Sequence, residues 1–293
     1  MTATGTTTTS SPTYTPAVPP RAVSFGKVLR SEWIKFWSLR SSVWTVVLTV
    51  LVMVGFALMM AALMRAASQV PDMQEGMAED PGFQAMGLTG TTVVTLGYSF
   101  GQLAIAVLGA LIITNEFSTG MIRATFAAVP RRLPVFAAKL VVVVVTTAVL
   151  ALVALAIAYA VTIPILEPTP LSVDLSDPEQ LRSLLGTVLY LATIGAFSFG
   201  VATLLRHTAG AIFTLVAILF VVPLIFSIVV NASDAAWTDW VNKLLPTVAG
   251  ERIISSGPTP DTLLEPWTGY GVLAGYTVVV LVAAAISLKR RDA

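Results

Sequence analysis

The sequence predicts an all-α integral membrane protein of six transmembrane helices, with both termini on the cytoplasmic side. Two observations carry this. First, six apolar runs of about 20 residues each match the length needed to cross about 30 Å of hydrocarbon at 1.5 Å per residue. They are Val43–Met64, Thr92–Thr114, Lys139–Ile163, Leu184–Leu205, Ala209–Val230 and Trp267–Leu288. Second, charges sort between alternate loops. One set, which includes both termini, holds 13 of the 17 Lys/Arg and only Glu32, Glu116 and Asp292 as acids; the other holds 4 basic and 13 acidic residues. By the positive-inside rule the basic set is cytoplasmic.

A composition of 56% apolar and 11% charged residues excludes an ordinary soluble domain, and a net charge of +1 gives no reason to expect nucleic acid as a partner. The absence of cysteine removes thiol catalysis and Cys-based metal sites, and one histidine, His207, leaves little room for His-based chemistry. Residues 1–24 are rich in Thr, Ser and Pro with no apolar run, which reads as a disordered tail ahead of one membrane domain over residues 25–293.

Ahead of the first span, Phe25, Val28, Leu29, Trp33, Phe36 and Trp37 recur at helical spacing, while Lys27, Arg30, Ser31, Lys35 and Ser38 take the other side. This predicts an interfacial helix with its Trp rings at headgroup depth. It either anchors the topology or also braces a cytoplasmic partner. The outer loop from Arg65 to Thr91 is acidic and broken by Pro71 and Pro81, so short helical pieces at most are expected there.

Gly97 and Gly101 in the second span, and Gly271 and Gly275 in the sixth, have the small-xxx-small spacing that lets helices approach closely, within the chain or across a dimer seam. Pro223 predicts a kink in the fifth span. In the last outer loop Trp237, Trp240, Val241, Leu244 and Leu245 predict a short amphipathic helix that Pro246 stops. A second segment, Thr247 to Ile254, follows, and together they form an outer helical hairpin.

The functional signal concentrates between spans two and three. Met121, Ile122, Thr125, Phe126 and Val129 form an apolar stripe with Arg123 facing away, and Pro130 ends the short helix before Arg131 and Arg132. A helix of this kind can transmit a push to the spans it joins. No Gly-x-x-x-x-Gly-Lys-Ser/Thr loop occurs, so the chain cannot itself cradle the phosphates of ATP. The spans as bounded above contain no Asp or Glu, which disfavours coupling by ions.

Glu116, a small-polar stretch, Gly120, Arg123, then a Pro with basic residues and Lys139 at the start of the next span resemble the permease subunits of ATP-binding-cassette exporters of type 2. The likeness extends over residues 24–290 through the basic Trp-containing helix, the six spans, and Leu245-Pro246 with Gly250 in the last outer loop. The resemblance implies that Glu116, Gly120 and Arg123 belong to a coupling helix docked on an ATPase subunit, with Arg131 and Arg132 nearby. It implies that Leu245, Pro246 and Gly250 belong to an outer gate.

It further implies that the chain binds no cofactor and that ATP and Mg sit on the partner. The implied partners are two copies of an ABC ATPase, a second permease subunit, identical or paralogous, and the lipid bilayer. The implied location is the bacterial cytoplasmic membrane. The Thr-rich tail has no counterpart in that pattern. Rival classes are an ion-coupled carrier and a non-transporting scaffold.

Two other patterns stand apart from that resemblance. Gly97-Tyr-Ser-Phe-Gly101 matches a nucleophile elbow, but it lies in the outer part of span two and His207 at the opposite membrane face. Met53, Met59, Met60, Met64, Met73, Met77 and Met86 crowd the outer half of span one and the next loop, a pattern suited to apolar packing or to Cu(I).

Overall fold

The computed structural model describes residues 24–70, 89–128 and 132–290, apart from 168, 170, 172, 234, 258 and 261. The tail, most of the first outer loop with Met73, Met77 and Met86, and Val129 to Arg131 lie outside the described residues.

All regular structure among the described residues is helical. A first helix, α1 (Phe25–Ser38), precedes span one, α2 (Arg40–Ala67). Span two comprises α3 (Gly90–Thr95) and α4 (Tyr98–Ser118); α5 (Met121–Ala128) links it to span three, α6 (Arg132–Leu166). Span four is α7 (Pro178–Leu205). Span five is α8 (Thr208–Val216), a π turn (Ala217–Val221) and α9 (Val222–Ala232). The hairpin α10 (Ala236–Leu244) and α11 (Pro246–Glu251) leads to span six, α12 (Pro266–Arg290). Each predicted span lies inside one of six helical segments long and apolar enough to cross a membrane. The helices run past the predicted ends because hydropathy marks the apolar stretch, not the last hydrogen bond. α6, at 35 residues and 1.5 Å each, is about 52 Å long, more than the hydrocarbon requires.

Helix ends follow local chemistry. Asp177 accepts from Glu179 N–H with Pro178 at the first helical position, and Thr89 and Thr92 form a reciprocal capping box at α3. Buried hydroxyls in the spans, including Thr114, Thr147, Thr187 and Thr277, donate to the carbonyl four residues back, so they cost little in an apolar interior.

α7 is the hub. Two thirds of its apolar window, 67%, is buried, against 11% for span five and 22% for spans one and six. Its run of small residues explains this: Gly195, Ala196, Ser198, Gly200 and Ala202 let α4, α6 and α12 lie close against it. Span five is broken where Pro223 predicts, but as a π turn one step earlier. Val222 N–H reaches Ala217 O, an i to i−5 bond, and Pro223 has no N–H to restore the α pattern at Leu219.

The two glycine pairs behave differently. A side chain at Gly97 would collide with the backbone of Met53, and one at Gly101 with the Met53 side chain 2.8 Å away, so this pair seats span one on span two. Gly271 and Gly275 are exposed, with nothing within 4 Å of where a Cβ would sit, so the sixth-span pair makes no close approach within the chain.

Candidate coupling and gating sites

At the basic end of the bundle, α1 lies along the start of α6. Its buried stripe is Val28, Glu32 and Phe36, while Trp33 and Trp37 are 40% and 46% exposed. Of the apolar residues at helical spacing, Val28 and Phe36 thus face the bundle while Trp33 and Trp37 do not. A charged residue takes the central inward position because a cation meets it there. Lys139 Nζ sits 2.5 Å from Glu32 Oε2 and 2.7 Å from Glu116 Oε1, and Lys35 Nζ sits 2.9 Å from Glu32 Oε1 and 3.0 Å from Glu116 Oε1.

Two carboxylates and two ammonium groups thus balance in one cluster, with Lys139 only 2% exposed and Glu32 4%. Buried charges are tolerable only when paired in this way. Burial alone would lower the Lys35 ammonium, but the hydrogen bonds and charges of Glu32 and Glu116 outweigh it and hold it above the ordinary lysine value. The quartet clamps α1 to the end of span two and the start of span three, the two points from which α5 hangs.

α5 is set at an angle to span two by Gly120, whose φ of +71° is the left-handed conformation that residues with a Cβ rarely adopt. Ile122 is buried at 3%, whereas Met121 and Arg123 are exposed. Of the predicted contact residues, Arg123 faces outward and Glu116 is turned inward. Glu116 is bound by Lys35 and Lys139, which also hold Glu32. Arg132 donates to Leu288 O at 3.0 Å and Arg206 to Ser287 O at 3.3 Å, so both pin the last turn of span six, where cations suit the helix dipole. Arg131 lies outside the described residues.

At the acidic end, Pro246 does more than stop α10: it opens α11 at the first helical position, and Leu245 bridges the two helices. α10 leaves Trp237 and Trp240 60% and 61% exposed, so its apolar face points away from the bundle. α11 and the turn after it, by contrast, are wedged between spans four and six. Gly186 gives way to Ile253 O, 2.5 Å from where a Cβ would sit, and Gly269 to Ala249 O. Gly250 packs on Tyr190 and Leu273. Arg182 donates to Ile253 O and Ser255 O, and Ser183 to Ile254 O, satisfying the carbonyls at the end of α11.

Beneath the hairpin lies a polar group that sequence reasoning missed. Tyr190, fully buried, donates to Gln102 Oε1 at 2.5 Å and stands 3.4 Å from Glu251 Oε1, with Tyr98 edge-on to its ring at 5.7 Å. Glu251 is part-exposed by surface area, yet its carboxyl is turned into this site. Burial pushes it up to about 7 while hydrogen bonds from Tyr98 and Tyr190 pull the other way. Burial, with Arg182 nearby, holds the Arg252 guanidinium below its ordinary range, and it donates to Leu264 O at 3.0 Å. An ionisable residue directly after Gly250, inside the segment that follows Pro246, was the available signal.

The other motifs resolve as packing. His207 caps α8, its Nδ1 accepting from Gly210 N–H at 3.1 Å, and Gly97 and Gly101 seat Met53, so the elbow-like motif serves helix contact. Met60 and Met64 pack with Ala61, Val93 and Leu166, and Met59 is exposed.

Six apolar helices thus form a bundle with an ion-clamped connector between the second and third, and the family model described as ABC-2 family transporter protein matches residues 76–286, more than two thirds of the chain. The chain belongs to the ABC-2 transporter family. It is a multi-pass membrane permease, a transport component and not itself a catalyst. A comparison with curated proteins found no match. The match begins after span one, so α1 and α2 of the permease lie outside it. They are joined to the matched part by the quartet and by the Met53 seat.

Proposed function

We propose that this permease is the membrane-spanning half of an ATP-driven exporter in a bacterial cytoplasmic membrane. Two copies of a separate ABC ATPase bind ATP and Mg, and a second permease subunit completes the pathway. α1 acts as an elbow helix and α5 as the coupling helix on the cytoplasmic side. The observation that carries the reading is the contrast along α5: Arg123 and Met121 face outward, while Ile122 is buried and Glu116, at its root, is clamped by Lys139 and Lys35. A displacement applied to the outward face of such a helix moves spans two and three together.

Closure of the ATPases displaces α5, the spans tilt about α7, and the α10–α11 hairpin around Leu245, Pro246 and Gly250 opens the outer side. The weakly covered fifth span and the exposed Gly271–Gly275 face leave surface for a second bundle. The apolar spans favour an amphipathic cargo.

The test is co-reconstitution with a candidate ABC ATPase, sought in the adjacent open reading frame. Arg123→Asp is expected to lower assembly and stimulated hydrolysis at least severalfold, leaving the permease folded. Unchanged stimulation sinks the docking assignment. Labelling of Arg123→Cys by an impermeant reagent from outside intact cells sinks the orientation.

A further inference from the structure

Between α1 and the turn from α4 into α5 lies a half-open cavity of about 320 Å³, room for about ten waters at liquid density. Its walls are of two kinds. Ile34, Phe36, Leu39, Ile112, Met121 and Val142 line it with apolar surface, and the ion quartet forms its polar side. Three of the apolar lining residues, Ile34, Leu39 and Met121, are 41–56% exposed, so the cavity opens beside apolar surface. Exposed Trp33 and Trp37 on α1 place this level at the headgroups.

The quartet is balanced in charge but not in hydrogen bonds. Both lysines bind the same oxygen of Glu116, Oε1, at 2.7 and 3.0 Å, while Oε2, on a residue only 6% exposed, has no partner among the described residues. A buried carboxylate oxygen without a donor is a strong acceptor left unsatisfied. Lys35 is the complement. Its ammonium has three N–H groups, two are spent on Glu32 and Glu116, and its side chain is 33% exposed. The Asn115 amide stands at the same rim.

One acceptor and one cationic donor in a neutral cluster, opening beside apolar wall, describe a zwitterionic amphiphile. We propose that this cavity binds the headgroup of an aminophospholipid, the Glu116 carboxylate turning to present its sealed Oε2 to the primary ammonium and the phosphate accepting from Lys35, with the acyl chains along Ile34, Leu39 and Met121. A quaternary ammonium has no N–H to give Glu116, and phosphatidylglycerol offers only neutral hydroxyl donors and a net negative charge beside a carboxylate, without the charge-assisted bond an ammonium makes. The site is separate from the outer hairpin and is lined by all three helices that the clamp unites, α1, α4 and α6, so an occupant would stiffen the root of α5.

The experiment uses the full-length chain reconstituted with equal mole fractions of phosphatidylethanolamine, phosphatidylcholine and phosphatidylglycerol, extracted gently, and read by native mass spectrometry for retained lipid. One charge-assisted hydrogen bond supports a preference of roughly tenfold or more for phosphatidylethanolamine over phosphatidylcholine. Glu116→Gln, which removes the charge at constant shape, and Leu39→Trp, which fills the mouth and leaves the quartet intact, are each expected to abolish that preference. The second keeps the test valid if the first misfolds. Equal retention of the three lipids, a preference for phosphatidylglycerol, or a preference for phosphatidylethanolamine surviving in either folded variant overturns the proposal. No ATPase enters the measurement, so its failure leaves the exporter reading where it stands.

Discussion

The Lys139 ammonium stands 2.7 Å from Glu116 Oε1, and through this contact the two helices that hold α5 are tied at the points where it leaves and rejoins them. Glu32 then ties the same lysine to α1. The arrangement is sensitive to which partner is lost. Lys139→Met strands two buried carboxylates with Lys35 alone and is expected to cost about 3–5 kcal/mol. Glu32→Gln added to Lys139→Met restores one acid to one base and should recover part of that loss. Thermal unfolding in detergent, followed by Trp fluorescence, checks the order: wild type above the double variant, and the double above Lys139→Met. Equal melting of all three would show that the quartet carries no stability.

The hairpin seat rests on two glycines whose absent side chains make room for backbone. Gly186→Ala pushes on Ile253 O and Gly269→Ala on Ala249 O, neither of which is a flexible side-chain end. Each is expected to lift α11 and speed hydrogen exchange over residues 246–254, despite the roughly 0.5–1 kcal/mol that alanine otherwise adds in a helix. Gly271→Ala is the contrast. It meets nothing within the chain, so the monomer should be unaffected, and a loss of self-association in that variant alone would place a second copy on that face.

Gly120 has open space around it, so its replacement tests conformation and not packing. Alanine at φ +71° is expected to cost about 1–2 kcal/mol locally, and asparagine less, because asparagine tolerates the left-handed region. The readout is hydrogen exchange over residues 121–128 with and without the ATPase. Faster exchange in Gly120→Ala, intermediate in Gly120→Asn, with the rest of the bundle unchanged, is the outcome expected of a turn that aims α5.

The spans were legible because a lipid solvent imposes a length and a composition on each of them, and nothing in the tertiary structure can override that. Pairings between spans were not. α1 was readable as an amphipathic helix, but periodicity did not mark Glu32 as part of its buried face. The face that is buried is set by Glu32, whose partner Lys139 is about a hundred residues away in another helix. The same limit applies to glycine motifs. The spacing of Gly271 and Gly275 is as good as that of Gly97 and Gly101, yet only the latter has Met53 opposite. Of the hairpin, Leu245, Pro246 and Gly250 were named through the family resemblance, whereas Gln102, Tyr98 and Tyr190 join Glu251 only because spans two and four bring them beneath it.

Glu251 makes the seating of that hairpin depend on pH. Its carboxyl is raised from 4.5 to about 7 in the seated state, by burial first, against the pull of Tyr98 and Tyr190. Gln102 beside them is uncharged, and the neighbouring Arg252 is bound to Leu264 O. Between about 4.5 and 7 the seated form holds a proton that the released form has lost, so seating weakens as pH rises. The change is at most about 1.4 kcal/mol per unit and levels off above about 7. Because the chain has no cysteine, a nitroxide on Leu245→Cys reports the hairpin without background. Its mobile fraction is expected to grow from pH 5 to 7 and then hold steady, and to stay constant throughout in Glu251→Gln. A pH profile that persists in Glu251→Gln would assign the titration to some other group.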